Sequence, residues 1–188
     1  QYQILKDQVN PHFLFNALGT ARSLARRDPA LTEAYIIRLS DFLRVTLQDA
    51  RDLVPLQEEL RLVRDYIELQ KMRFHDALVF TCPPELMTPR TDDDAPQYQL
   101  PYFSLLTLVE NAVKHNAMTL DAPLKIVIGV QQGTITVWNN RQPRPLHSPS
   151  NGSGLSNLRN RCRILGIGDI AVLESAEAYQ VSFQLLPL

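Results

Sequence analysis

Three short segments of this 188-residue chain carry residues able to do chemistry. In Asn10-Pro11-His12-Phe13-Leu14-Phe15-Asn16 a histidine directly follows a proline inside an apolar, helix-like stretch. Proline lacks a backbone N–H and its ring crowds the preceding turn, while the residue before it avoids the α region. Such a strain element beside an imidazole marks His12 as a candidate nucleophile. In Leu108-Val109-Glu110-Asn111-Ala112-Val113-Lys114-His115-Asn116, positions 111, 114 and 115 share one face of a helix. There an asparagine oxygen suits Mg2+, a lysine suits a phosphate, and a flat imidazole suits the edge of a purine. In Asn151-Gly152-Ser153-Gly154-Leu155-Ser156-Asn157, glycines precede a helix, where backbone N–H groups can approach phosphates at the positive helix end. Each segment alone has a plainer explanation: a core histidine, a solvated polar face, a simple turn. Together, in this order, they point to ATP binding coupled to phosphorylation of the chain's own histidine. Arg144 and His147, in the Pro-rich stretch 142–150, either meet phosphate or are simply solvated.

Helices must position the first segment. Residues 1 to about 76 contain no glycine except Gly19, and their apolar residues recur at three- and four-residue spacing. Ile4, Val9, Leu14, Leu18 and Leu24 form one stripe, and Leu31, Tyr35, Leu39 and Phe42 a second, after Asp28-Pro29. The first stripe runs through Pro11 without a phase break, which favours a bent continuous helix over a new helix capped by Asn10. Residues 52–55 break the pattern. A third helix follows, with Glu58 and Glu59 in its first turns, favourable to its dipole. Then the pattern changes. Residues 77–82 read as a strand, 83–97 as a loop with a brief strand near Met87, and 100–118 as a helix. Alternating β-branched runs at 124–131 and 134–139, separated by Gln132-Gly133, predict a hairpin. A helix over 154–165 and strands over 169–174 and 179–186 complete the chain.

Composition excludes several classes. A formal net charge of -1 gives no broad attraction to nucleic acid or anionic lipid. Cys82 and Cys162 are far apart and lack metal-ligand spacing, which points to reduced cytosolic thiols. No apolar run approaches the roughly 20 residues that span a bilayer. Gln1 is no initiator methionine, so the chain reads as a piece of a longer protein.

The chain resembles the kinase core of the LytS-type sensor histidine kinases. Residues 10–16 are similar to that family's phospho-acceptor motif. Leu39-Ser40-Asp41-Phe42-Leu43-Arg44, Val54-Pro55-Leu56-Gln57-Glu58-Glu59-Leu60 and Tyr66-Ile67-Glu68-Leu69-Gln70-Lys71-Met72-Arg73-Phe74 match it too. Residues 110–115 resemble its asparagine box and 152–157 its last glycine box. The resemblance implies an α+β fold. A helical dimerisation and phospho-acceptor segment, residues 1–76, precedes an α/β sandwich of the GHKL (Bergerat) ATP-binding type, shared with gyrase, over 77–188.

By the same resemblance, His12 is the acceptor and Asn111 the Mg2+ ligand. Lys114 lies near the phosphates, His115 near the nucleotide, and Gly152 and Gly154 at the lid hinge and phosphates. Glu110, Asn139, Asn140, Leu155 and Asn157 complete the ATP site. The implied partners are a second copy in a homodimer and a response regulator of the LytTR type, with no nucleic acid. A sensor segment ahead of Gln1 would hold the protein at the cytoplasmic face of the inner membrane, this portion being soluble.

The chain also departs from the family. Asn139 stands at an aspartate position whose carboxylate accepts a hydrogen bond from the adenine amino group; an amide oxygen accepts it without charge assistance. Arg141 replaces a glycine, and Leu106 a frequent glutamine. Weak ATP binding, tightened by Asn139→Asp, is the expectation. Phe13 follows the histidine where other histidine kinases carry a carboxylate, leaving Asp41 or Glu110 as candidate bases. The alternative is a degenerate kinase serving as a dimeric signalling scaffold without ATP turnover.

Overall fold

The computed structural model describes residues 11–48, 51–87, 97–144 and 153–188, with the backbone alone at positions 11, 12, 48, 87 and 153. Helices α1 (Pro11–Ala25), α2 (Pro29–Gln48) and α3 (Leu56–Phe74) follow the apolar stripes of the sequence. The Asp28 carboxylate accepts the Leu31 N–H at 2.9 Å, and Pro29 occupies the first turn of α2, where its missing N–H is harmless. Phe13, Phe42 and Tyr66, one from each helix, form a mutual ring cluster with centroids 5.4, 5.6 and 6.2 Å apart. This cluster fixes α1 and α2 against α3. The expected run of the first helix through Ile4 and Val9 lies outside the described residues.

Residues 52–55 are more than a break. Strand β1 (Leu53–Pro55) pairs antiparallel with β3 (Tyr98–Pro101), and β3 with the short β8 (Leu186–Pro187). The larger sheet takes the order β2-β4-β5-β7-β6, from β2 (Leu78–Thr81), β4 (Leu124–Gln131), β5 (Thr134–Asn140), β6 (Ala171–Glu174) and β7 (Ala178–Gln184). Only the β2–β4 pairing is parallel within it. Between β4 and β5 the turn residues Gln132 and Gly133 have φ of 51° and 73°, the left-handed pair that matches strand twist in a tight hairpin. A one-turn helix α4 (Pro84–Met87) stands where a brief strand was expected.

Helices α5 (Ser104–His115) and α6 (Ser153–Ile164) cover one face of this sheet together with α3. Strand alternation sends Leu124, Ile126, Ile128, Ile135, Val137, Val181 and Phe183 into the layer beneath them. Leu60, Val63, Ile67, Leu105, Val109, Leu158 and Cys162 fill it from the helices. The fold is thus α+β, as the sequence implied. Packing crosses residues 76–77, since α3 lies on α5 and β1 hydrogen-bonds to β3.

Candidate nucleotide and phospho-acceptor site

Helix α5 carries four of the candidate residues, Glu110, Asn111, Lys114 and His115, and both of its ends are held by other elements. At its start Phe103 adopts a left-handed φ of 62°, turning the chain sharply out of β3. The exposed N–H groups there are taken by Glu59 of α3. One carboxyl oxygen accepts the Phe103 N–H at 2.6 Å and the other the Leu105 N–H at 3.0 Å. Glu59 is fully buried, and burial pushes its pKa up to about 7 against the pull of these bonds and of the nearby Arg161 charge. Arg161 of α6 donates to the carbonyls of Tyr102, at 2.6 Å, and Asp52, at 3.2 Å. The sequence reading placed Glu59 at the dipole of its own helix; the structure shows that it serves the next-but-one. A partner 44 residues away leaves no local spacing to read.

The last turn of α5 is clamped by the chain after β5. Asn116 accepts the Gln142 N–H at 2.6 Å through its side-chain oxygen and donates to the Ala112 carbonyl at 2.8 Å. Arg144 donates from Nε to the Asn116 carbonyl at 2.8 Å and from a terminal nitrogen to the Val113 carbonyl at 3.2 Å. A cation on the last carbonyls of a helix is well placed for its dipole. These bonds fix β5, and Asn139 with it, relative to α5.

Asn139 and Asn140 alternate across the sheet. Asn139 is buried on the face toward α5, and its amide nitrogen donates to the Asn140 carbonyl at 2.7 Å. That bond orients the amide, leaving the oxygen to accept from elsewhere. Asn140 sits on the opposite face, where its amide accepts the Lys125 N–H at 2.7 Å and donates to the Pro123 carbonyl at 3.0 Å. The side chain of Arg141 is drawn to the β6–β7 turn, 2.7 Å from Glu174 and 2.9 Å from the Ser175 carbonyl.

On α5, Asn111 faces the start of α6. A β-carbon built on Gly154 would stand 3.2 Å from the Thr107 methyl and 3.7 Å from the Asn111 amide nitrogen. Glycine therefore lets the first turn of α6 approach the asparagine closely, which fits an arrangement where N–H groups and an amide oxygen share phosphate and metal. Gly154→Ala should lower stability by about 1 kcal/mol through the crowded Thr107 methyl. Thr107→Ser in the same chain should restore most of it, measured by denaturant unfolding of both variants. Leu155 is half-buried and Asn157 exposed on α6, His115 ends α5, and Gly152 lies outside the described residues.

Glu110 and Lys114 face another way. With Asn16 of α1, Gln70 and Arg73 of α3, and Arg144, they line a cleft of about 70 Å3 between α1, α3 and α5. Among the described residues no cluster of three or more His, Cys, Asp or Glu could hold a metal, so a cation here would rest on Asn111, phosphates and water.

A helical segment packed on an α/β sandwich is the architecture expected of a histidine kinase core. A family model described as "Histidine kinase" matches residues 1–78. The chain is 34% identical over 159 residues to the sensor histidine kinase BtsS of Escherichia coli K12, covering 82% of this chain and 27% of that protein. It is 39% identical over 116 residues to the sensor protein LytS of Bacillus subtilis, covering 61% of this chain and 18% of that one. The chain thus spans about a quarter or less of these curated relatives. A solved bacterial phosphotransferase shares the fold, with a TM-score of 0.51 at 12% identity, over 92% of this chain and 90% of that one. The chain belongs to the histidine kinase family, and within it to the LytS type. Among the described residues no helix is long and apolar enough to cross a membrane.

Proposed function

We propose that this chain is the ATP-dependent, self-phosphorylating core of a two-component sensor, with His12 as acceptor and a response-regulator aspartate of the LytTR class as recipient. The observation that supports this most strongly is the close approach of Gly154 to Asn111, in a chain whose acceptor helix is packed on the same domain. In this reading, a nitrogen of the His12 imidazole attacks the γ-phosphorus of ATP. The P–O bond to ADP breaks as the N–P bond forms, and the imidazole proton leaves to solvent or a nearby base. Asn111 would ligate Mg2+, which supplies charge neutralisation for the phosphates when bound. Lys114 and the N–H groups at the start of α6 hold phosphate oxygens, and Asn139 accepts from adenine. Glu110 and His115 flank them, Leu155 and Asn157 border the phosphate end, and Gly152 hinges the lid. Asn140 acts from the far face by fixing the strand end that carries Asn139. Calorimetric titration with ATP tests the site: binding that requires Mg2+ and vanishes in Asn111→Ala supports it, and unaltered binding contradicts it.

The orientation of Asn139 reverses the sign expected of Asn139→Asp. A carboxylate there would lose the bond to the Asn140 carbonyl and set one oxygen against another at about that distance. We expect ATP affinity to fall by about 1 kcal/mol or more in this variant, because the loss of a local bond outweighs charge assistance to adenine. Tighter binding would show that the adenine contact dominates.

The same reading includes a homodimer. Phe15 is 74% exposed on α1 and Ile37 55% exposed on α2, and Leu18, Val45 and Leu47 extend this apolar surface. Two such helices from each of two chains make a four-helix bundle. Sedimentation should give a dimer that Phe15→Asp with Leu18→Asp converts to monomer; a wild-type monomer at high concentration contradicts this. An anchoring sensor segment in the rest of the protein, at the cytoplasmic face of the membrane, completes the proposal.

A further inference from the structure

The cleft between α1 and α5 is lined by three cations, Arg73, Lys114 and Arg144, against one carboxylate, Glu110. Arg73 and Arg144 make no ion pair among the described residues. Arg73 lies over the Phe74 ring at 4.7 Å, which orients its guanidinium without neutralising it. Arg144 is bound to carbonyls only, and both its burial and the Arg73 charge work against its own. Two like charges held at one partly buried cleft are unfavourable unless an anion joins them. The floor of the cleft is set by the packing of Phe13 on Tyr66, and Asn16 stands on its rim. Position 12 is one helical turn before Asn16, on the same face of α1.

We infer that Arg73 and Arg144 form a receptor for the phosphoryl group during its passage to His12, distinct from the residues that hold the nucleotide. This rests on the reading of His12 as acceptor. Guanidinium groups match the three equatorial oxygens of a transferring phosphoryl by geometry as well as charge, and transfer depends mainly on such positioning. Lys114, on the neighbouring turn of α5, bridges the two regions. One chain supplies α1, α3, α5 and both arginines to the cleft, so the phosphoryl group meets both arginines without help from a partner.

The test measures label on His12 from γ-labelled ATP in the full protein, beside ATP affinity, for wild type, Arg73→Gln and Arg73→Lys. Arg73 is on the surface of α3, so its loss leaves the fold in place, whereas Arg144 also closes α5. Arg73→Gln should slow labelling about tenfold or more with ATP affinity unchanged, a loss at the low end for cations on a transferring phosphoryl because the cleft is open to water. Arg73→Lys should restore part of the rate. An unchanged rate in Arg73→Gln, or a fall explained wholly by ATP affinity, overturns the receptor while leaving His12 as acceptor. A wild type that takes no label on His12 overturns both.

Discussion

Glu59→Ala is expected to lower the unfolding free energy by about 2–4 kcal/mol, since it strips the N-terminus of α5 of its acceptors and leaves a void. The Leu105 N–H is buried, so it would be left without an acceptor once the carboxyl is removed. ATP affinity should fall with it, because α5 carries Asn111 and Lys114. Glu59→Gln is a poor substitute, as its NH2 would meet an N–H donor. The same carboxyl gives stability a pH dependence. Its pKa is raised from 4.5 to about 7 by burial. Between those values the folded chain holds a proton that the unfolded chain releases. This contribution is therefore fully present below pH 4.5 and is lost as pH rises through 7. Denaturant unfolding of wild type and Glu59→Gln across that range should show a difference that shrinks with rising pH. A flat difference would mean that the carboxyl titrates normally, with the helix terminus compensating for burial.

Long periodic segments were legible in the sequence. The stripes of α1, α2 and α3 and the alternation of β4 and β5 follow from local spacing, and Gln132-Gly133 from turn chemistry. Elements defined by distant partners were not. Strand β1 is three residues ending in proline, and only its pairing with β3 makes it a strand. The second half of strand β3, Leu100 and Pro101, reads as the start of the helix that follows, because Leu100 continues that helix's apolar pattern until Phe103 turns the chain. The motif residues stand out by type and order, yet their division between two places does not. Asn111 faces Gly154, whereas Glu110 and Lys114 face α1. Neighbours on a helix point about 100° apart, so this follows from the fold's two contacts with α5 rather than from the motif. Asn139 and Asn140 likewise part company because a strand alternates. The convergence of Arg73 and Arg144 on one cleft needs α3 and the end of β5 to meet, which no local pattern announces.

These contacts give α5 a central place. Glu59 holds its start, Arg144 and Asn116 hold its end, α6 presses Gly154 on one side, and a cleft shared with α1 and α3 opens on the other. A shift of α1 or α2 would reach α5 through α3, whose Tyr66 packs on Phe13 and Phe42 and whose Glu59 accepts the N–H groups at the start of α5. Tyr102 adds a second link, donating to the Val45 carbonyl of α2 at 3.3 Å.

The second large effect belongs to His12. It is the sole histidine within residues 10–16. His12→Gln keeps a polar side chain of similar reach but no nucleophilic ring nitrogen, so label transfer should fall to background while ATP binding and unfolding stay close to wild type. The decisive measurement is incubation of wild type and His12→Gln with γ-labelled ATP and Mg2+, followed by acid and base treatment of the labelled protein. The account predicts label in wild type that is lost in acid and survives base, as a phosphoramidate does, and none in the variant. Label retained in His12→Gln, at His75, His115, His147 or elsewhere, or a wild type that binds ATP and takes no label, would contradict it.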